Sequence, residues 1–225
     1  MANKNMFLFW GSGSSPCWKP MIVLAEKGLW EGLPQKLVEF SKKEHKGEDV
    51  LKTNPRGQVP TFIDGDIRVN ESGAICMYLE NKYSKEDNRL IPSSLDASAQ
   101  VYQRMFESDN LKSKVTEPLV YYRWMTPKDK QDEELIKTKT EDAKAELKVW
   151  NGYLEGQDYL CGDQFTMADV FVFPQLAFFK RSGASFADFP NLNKYVDKIQ
   201  SRPSVEATWP PHWKDSKGPD ILKDL

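Results

Sequence analysis

The sequence predicts two domains: a small α/β domain followed by an all-helical one. Three observations support this. Short apolar runs alternate with helical patterns through residue 83, residues 84–98 are polar and contain a proline, and every strong hydrophobic period beyond them is helical. The chain has 225 residues, of which 40% are hydrophobic, enough for two small cores. We therefore predict domains over residues 1–83 and 99–225, joined by a linker over 84–98.

The opening strand and helix have the plainest signals. The run MFLFW is short, apolar and ended by Gly11, which predicts a buried strand over Met6–Trp10. Helical periodicity then covers Pro16–Lys27, and Gly28 is the expected stop. Pro20 is compatible with that helix only within its first turn.

A hairpin is the next clear feature. The runs TFI and IRV flank Asp64 and Gly65, and an Asp-Gly pair tolerates the positive φ angles of a tight turn. The remaining elements of this domain are a strand over Gln35–Phe40, a short helix over Glu48–Lys52 and a helix over Ser72–Tyr83.

Helical periodicity dominates the rest of the chain. The stretch TMADVFVFPQLAFF is nearly all apolar and predicts a buried helix, with Thr166 and Asp169 at the spacing of a capping box. Two further apolar stripes are formed by Val101, Met105, Leu111 and Val115, and by Ala143, Leu147, Trp150 and Leu154.

Composition argues against several classes of protein. The formal net charge is −2, so nucleic acid is not an expected partner. Three scattered cysteines, with no Cys-x-x-Cys pair, indicate reduced thiols in the cytoplasm. The N-terminal apolar run is too short for a signal peptide, no run of about 18 apolar residues predicts a membrane span, and no metal is expected.

The loop GSGSSPC allows three interpretations. Gly11 and Gly13 follow a strand and precede a helix, as in a dinucleotide site, but Pro16 stands where the third glycine belongs. Cys17 lies near a helix N-terminus, which lowers a thiol pKa, yet it has no resolving cysteine and also fits a core position.

The third interpretation concerns three serines of the same loop, Ser12, Ser14 and Ser15. Their hydroxyls and the nearby backbone N–H groups would surround an anion at the helix start. A hydroxyl that donates to a thiolate lowers that thiol's pKa. Serine is equally common as a simple N-cap, so the loop alone does not decide between these readings.

Motifs elsewhere resolve the question. Val59-Pro60 precedes the hairpin, Glu71-Ser72 begins the next helix, and YLCGDQFTMAD covers Tyr159–Asp169. With these motifs, nearly the whole chain resembles the cytosolic glutathione transferases, which implies a thioredoxin-like first domain and an all-helical second one. GSGSSPCWKPMIVLAEKG and SRPSVEATWPPHW are most similar to the rho class of fish and molluscs, with the theta, delta and zeta classes more distant.

The resemblance also implies a site. Its Ser-x-Pro-Cys pattern places the catalytic serine at Ser14, and no tyrosine precedes Tyr78, which excludes the tyrosine mechanism of other classes. Ser12 and Ser15 remain alternatives to Ser14. The residues expected to bind glutathione are His45, Gln58, Val59, a cis Pro60, Glu71, Ser72 and, more weakly, Lys43.

The implied reaction is attack of a glutathione thiolate on a hydrophobic electrophile, in a homodimer located in the cytoplasm. The acceptor pocket is expected between the domains, with walls from Trp10, Phe106, Leu111 and Val115, although each also fits ordinary packing. Tyr121, Tyr122 and Trp124 are alternative wall residues.

The sequence leaves two rival functions open. One is a non-catalytic ligand-binding or structural role on the same fold. The other is a glutathione-dependent isomerase, dehalogenase or peroxidase activity.

Overall fold

The computed structural model describes residues 5–225, which form two compact units. The first contains the residues up to Leu90 together with Arg202–Ser216, and the second contains Ile91–Ser201 and Lys217–Leu225. Within residues 5–225, every helix is too short or too polar to cross a lipid bilayer.

A four-stranded mixed sheet forms the centre of the first unit, in the order β2-β1-β3-β4. Strand β1 runs parallel to β2 and antiparallel to β3, which forms a hairpin with β4. Leu8 and Phe62 face the core with no exposed surface. The strand bounds are Met6–Trp10 (β1), Gln35–Leu37 (β2), Thr61–Asp64 (β3) and Ile67–Asn70 (β4).

The predicted hairpin is present, but its turn lies one residue later than expected. Asp64 pairs with Ile67, so the turn residues are Gly65 and Asp66, and Gly65 has a φ of +59°. Asp64 ends its strand with its carboxylate accepting hydrogen bonds from the side chains of Tyr78, Lys82 and Tyr83.

Three α-helices accompany the sheet within residues 5–90: α1 (Ser15–Glu26), α2 (Glu48–Leu51) and α3 (Ser72–Tyr83). Gly28, with a φ of +67°, follows α1 as predicted. The expectation for Pro20 is wrong, because this residue lies inside α1 beyond the first turn. Proline has no N–H, so the helix tolerates the loss of one internal hydrogen bond there.

The second unit is helical. Its capping box is confirmed: the Asp169 carboxylate accepts from the Thr166 N–H at 2.7 Å and from the Thr166 hydroxyl at 3.1 Å. The α-helices are α4 (Leu95–Glu107), α5 (Asp109–Leu111), α6 (Tyr122–Met125), α7 (Glu133–Tyr153), α8 (Met167–Arg181) and α9 (Pro190–Gln200), with a π-helical stretch over Lys112–Tyr121 between α5 and α6.

Residues 202–216 return to the first unit, which differs from the predicted second domain over residues 99–225. The returning segment, residues 202–216, contains α10 (Pro203–Ala207) and α11 (Pro211–Lys214). Arg202 binds both carboxylate oxygens of Glu26 in α1, at 2.6 and 2.8 Å. A bidentate arginine–carboxylate pair is among the stronger polar contacts available to a protein.

Aromatic packing supplies the second attachment of the returning segment. Trp18 of α1 meets Trp209 and Trp213 edge to face, with ring centroids 5.1 and 5.6 Å away, and those two rings lie 5.8 Å apart. We call these three residues the tryptophan cluster. The Trp18 indole N–H also donates to the Thr208 hydroxyl at 2.9 Å. Edge-to-face contacts of this kind add to the stabilisation from burial itself.

We predict that Arg202→Met lowers the free energy of unfolding by about 1–3 kcal/mol at neutral pH, because the partly buried Glu26 carboxylate loses its hydrogen-bond partner. Burial alone would raise the pKa of Glu26, but hydrogen bonds from Arg202 and Ser204 and the charges of Arg202 and Lys27 lower it below its ordinary value. A depressed carboxyl pKa contributes stability above the ordinary pKa and loses it as the pH falls through the depressed value. The difference between wild type and variant should therefore shrink in acid.

Denaturant titrations at several pH values measure this effect. Lys42→Met is the matched control, because it breaks the exposed pair between Lys42 and Glu39. It should leave stability nearly unchanged. A pH-independent loss in Arg202→Met would contradict the role given to the ion pair.

Candidate functional site

The register of the sheet brings four loops to one edge. Phe9 of β1 pairs with Thr61 of β3, and Thr61 pairs with Asn70 of β4. The loop after β1, the residues before β3 and the start of α3 therefore emerge side by side. The Val38 N–H donates to the Trp10 carbonyl at 2.8 Å, which places the segment after β2 at the same edge.

Ser14 caps the N-terminus of α1. Its backbone is extended (φ −78°, ψ 111°), and its side-chain oxygen accepts from the Cys17 N–H at 3.4 Å. The Ser14 N–H donates to the Gly11 carbonyl at 3.3 Å, which closes a four-residue turn. A serine oxygen that accepts a hydrogen bond still has its hydrogen to donate.

Cys17 lies in the core beneath this loop. Burial raises the pKa of its thiol to about 11, and hydrogen bonds from Ser14 and from the Gly11 N–H only partly offset that rise. The thiol has no exposed surface. It therefore stays protonated at neutral pH, which supports the core reading of Cys17 over the redox one.

The other two serines have different surroundings. The Ser12 hydroxyl and Nδ1 of His212 share a hydrogen bond of 2.6 Å, while Ser15 is the first residue of α1. Sequence reasoning did not place His212 near this loop, because the two partners lie 200 residues apart. The only signal was the aromatic run WPPHW, which contains two of the three residues of the tryptophan cluster.

His45 is connected to the loop through Phe40. A Cβ on Gly11 would lie 2.3 Å from the Phe40 ring, so only glycine permits this packing. The rings of Phe40 and His45 are 5.4 Å apart. His45 Nδ1 is buried and has no hydrogen-bond partner among residues 5–225. A buried ring nitrogen without a partner is costly unless a ligand completes its hydrogen bonding.

The segment before β3 presents its backbone. The Val59-Pro60 peptide bond is cis, as the resemblance implied. The Gln58 carbonyl accepts from the Asn54 side-chain amide at 2.9 Å and from the Thr61 hydroxyl at 3.1 Å. The Gln58 side chain is exposed. These hydrogen bonds hold the backbone before Val59 in place and leave the side-chain amide of Gln58 exposed for binding a ligand.

Two candidate residues have unusual backbone angles. Glu71 (φ +66°) and Lys43 (φ +57°) are the non-glycine residues with positive φ in the described chain, and both side chains are exposed. Such angles cost energy in residues with a Cβ, and they concentrate at functional sites. Glu71 directly precedes α3, whose first residue is Ser72, so a carboxylate and a hydroxyl lie at one helix start.

Two of the four proposed pocket walls need correction. Leu111 and Val115 have no exposed surface and belong to the core of the second unit, so they offer nothing to an incoming ligand. Trp10 is nearly buried, and its indole N–H has no hydrogen-bond partner among the described residues. Phe106 is 76% exposed. Apolar periodicity, which included Leu111 and Val115 in one stripe, does not separate a packed side chain from an available one.

Comparisons with known proteins agree on one family. Residues 8–87 match the model of the glutathione S-transferase N-terminal domain, and residues 115–203 match that of the C-terminal domain. The chain is 43% identical to glutathione S-transferase A of Pleuronectes platessa, over 99% of both chains.

Solved structures give the same result. The crystal structure of a glutathione S-transferase from the Antarctic clam Laternula elliptica is 48% identical, with a TM-score of 0.91 over 98% of this chain and 99% of the clam chain. A delta-class glutathione transferase of Nilaparvata lugens, 24% identical, shares the fold with a TM-score of 0.80 over 93% of this chain and 95% of its own. The predicted fold class is confirmed.

We predict that Gly13→Ala destabilises the protein more than an alanine at another glycine of similar backbone angle. Gly13 has a φ of +76°, and a Cβ there would lie 2.8 Å from His212 Cε1 and 3.0 Å from Trp213 Nε1. The positive φ costs about 1–2 kcal/mol and the overpacking about 1 kcal/mol more.

Gly32→Ala is the matched control, because Gly32 has a φ of +70° and nothing within 4 Å of its Cβ position. Denaturant unfolding gives the difference in stability, and tryptophan fluorescence reports displacement of Trp213. Equal losses of stability in Gly13→Ala and Gly32→Ala would mean that the returning segment does not pack tightly against Gly13.

Proposed function

Because the chain belongs to the glutathione S-transferase family and is a transferase, we propose that it conjugates glutathione to hydrophobic electrophiles, with the Ser14 hydroxyl stabilising the glutathione thiolate. The family uses glutathione as its co-substrate. The reaction is nucleophilic attack by the thiolate sulfur on an electrophilic carbon of the second substrate, whose leaving group departs with the bonding electrons. No bond forms between the substrate and the protein.

One observation carries the assignment to Ser14: its oxygen accepts from the Cys17 N–H at 3.4 Å at the N-terminus of α1, so its hydrogen remains to be donated. A glutathione sulfur placed at this helix start would receive that hydrogen. Ser12 instead shares its hydroxyl with His212.

The N-terminus of α1 adds to this effect. Helix N-termini carry partial positive charge and favour anions. A free cysteine thiol has a pKa of about 8.5. A hydrogen bond to a charged group stabilises it by about 1.5–3 kcal/mol, which corresponds to about one to two pKa units. The combined effect brings the pKa of the bound thiol close to neutral.

The remaining groups of glutathione find partners along the same sheet edge. In this proposal Glu71 takes the γ-glutamyl ammonium, while Ser72 and the first N–H groups of α3 take its carboxylate. The Val59 backbone pairs with the cysteinyl residue beside cis Pro60. Nδ1 of His45, the Gln58 amide and Lys43 bind the glycine carboxylate.

The finer assignments rest on sequence likeness. The loop and C-terminal motifs support membership of the rho class, and family likeness supports a detoxifying role in the cytoplasm and a homodimer with two sites. Sedimentation at assay concentration tests the dimer, which a monomeric species would contradict.

We predict that Ser14→Ala lowers turnover by about 10- to 100-fold, because the thiolate loses a hydrogen bond that its reactive form needs. The pKa of bound glutathione, followed by the ultraviolet absorbance of its thiolate, should rise by about one to two units. Binding of an inert S-alkyl glutathione should change little.

Glu71→Gln is the contrasting variant. It should weaken binding of the S-alkyl analogue while leaving the pKa of the bound thiol unchanged, since Glu71 is assigned to the other end of the tripeptide. If Ser14→Ala leaves the thiol pKa unchanged, the assignment passes to Ser12 or Ser15. Tight glutathione binding without turnover of any electrophile in the wild type would favour a non-catalytic carrier.

A further inference from the structure

We propose that His212 is a positioning residue for the catalytic loop: by clamping the turn Gly11–Ser14 it fixes where Ser14 presents its hydroxyl. This inference rests on the proposed function of Ser14. It concerns a residue near the end of the chain that belongs to the first unit only because the segment 202–216 returns there.

The returning segment, residues 202–216, is held in place near the loop by several contacts. Arg202 is joined to Glu26 by two hydrogen bonds, and the Trp30 indole N–H donates to the Ala207 carbonyl at 3.1 Å. Beyond these contacts, the tryptophan cluster packs the segment on α1. His212 lies in α11 directly after Pro210 and Pro211, next to Trp213 of that cluster. The His212 imidazole is therefore part of a segment that several contacts hold in position.

The clamp acts on both central residues of the turn. The Gly11 carbonyl and the Ser14 N–H are 3.3 Å apart, so Ser12 and Gly13 occupy the middle positions. The Ser12 hydroxyl bonds His212 Nδ1 at 2.6 Å, and the His212 ring lies against Gly13, whose φ is +76°. A positive φ at the second central residue is the mark of a type II turn, which glycine accepts without strain.

Such a turn needs external support to be rigid. Two of its four residues are glycines, which have the greatest backbone freedom of all residues. Displacing a catalytic group by about 1 Å reduces a reaction rate by up to about a hundredfold. A hydrogen bond and a ring contact from His212 restrict the two positions that determine the direction of the chain at Ser14.

The shared hydrogen bond also separates the roles of the serines. When Nδ1 is unprotonated, Ser12 donates its hydrogen to His212 and has none to offer the sulfur. Ser14, whose oxygen accepts from the Cys17 N–H at the helix cap, keeps its hydrogen to donate to the sulfur. Loss of His212 would release the Ser12 hydroxyl from its hydrogen bond and would also make the position of Ser14 less fixed.

The test compares His212→Ala, His212→Asn and His212→Phe, with Ser12→Ala and the double variant Ser12→Ala/His212→Ala completing a cycle. Asparagine places an amide close to where Nδ1 lies, and phenylalanine keeps the ring on Gly13 without the hydrogen bond. Lys214→Ala, in the same short helix, is the control for general effects on α11. Turnover, KM for glutathione, the pKa of bound glutathione and thermal unfolding are measured for each.

We expect His212→Ala and His212→Phe to lower kcat by about 3- to 10-fold, the loss that one hydrogen bond accounts for. The thiol pKa should rise with it, whereas KM for glutathione should change less than twofold, because Glu71, Ser72 and Val59 hold the tripeptide elsewhere. His212→Asn should recover most of the activity. In the Ser12→Ala background the His212→Ala change should have little further effect.

Three results would overturn the inference. The first is an unchanged kcat in His212→Ala, and the second is an equal loss of kcat on His212→Ala with and without the Ser12 hydroxyl. The third is a His212→Asn variant that recovers neither kcat nor the lower pKa of bound glutathione. The second result would mean that His212 only packs against the loop. Ser14→Ala is assayed in parallel. If Ser14→Ala also leaves kcat and the thiol pKa unchanged, the proposed function fails. If Ser14→Ala lowers kcat while the His212 variants do not, only the positioning role of His212 is rejected.

Discussion

The row of paired residues Phe9, Thr61 and Asn70 is the constraint on which the site depends. These three residues cross three strands at one level, so the chain leaves β1 and β4 and enters β3 at the same edge. A slip of one residue would turn the side chains of a strand to its opposite face. The register thus fixes at once the core face of the sheet and the arrangement of Ser14, Val59 and Glu71.

Around that fixed row, the site is built mostly from backbone in restricted conformations. Ser14 is an extended cap, Val59-Pro60 is cis, and Glu71 has a positive φ immediately before its helix. The hydrogen bonds of Asn54 and Thr61 to the Gln58 carbonyl show how neighbouring side chains maintain one of them.

Local patterns predicted what depends on local forces. The strand MFLFW, the hairpin and the Thr166–Asp169 capping box follow from apolar alternation, turn chemistry and helix capping, and all three are present. Pro20 was misjudged because the packing of α1 overrides the cost of an interior proline. The contact between Ser12 and His212 could not be predicted, since no local rule links residues 200 positions apart. Leu111 and Val115 show the limit of periodicity, which finds apolar faces but not what covers them.

Cys17 has a consequence for the chemistry of a protein that handles another molecule's sulfur. Its thiol lies within one helical turn of Ser14, yet it is fully buried and its pKa is about 11. Exchange with oxidised glutathione requires a thiolate that can reach the disulfide, and peroxides likewise oxidise the thiolate form. The fold therefore holds the Cys17 thiol inert beside Ser14, where the proposed function places the sulfur of glutathione, and so protects this loop from mixed disulfides.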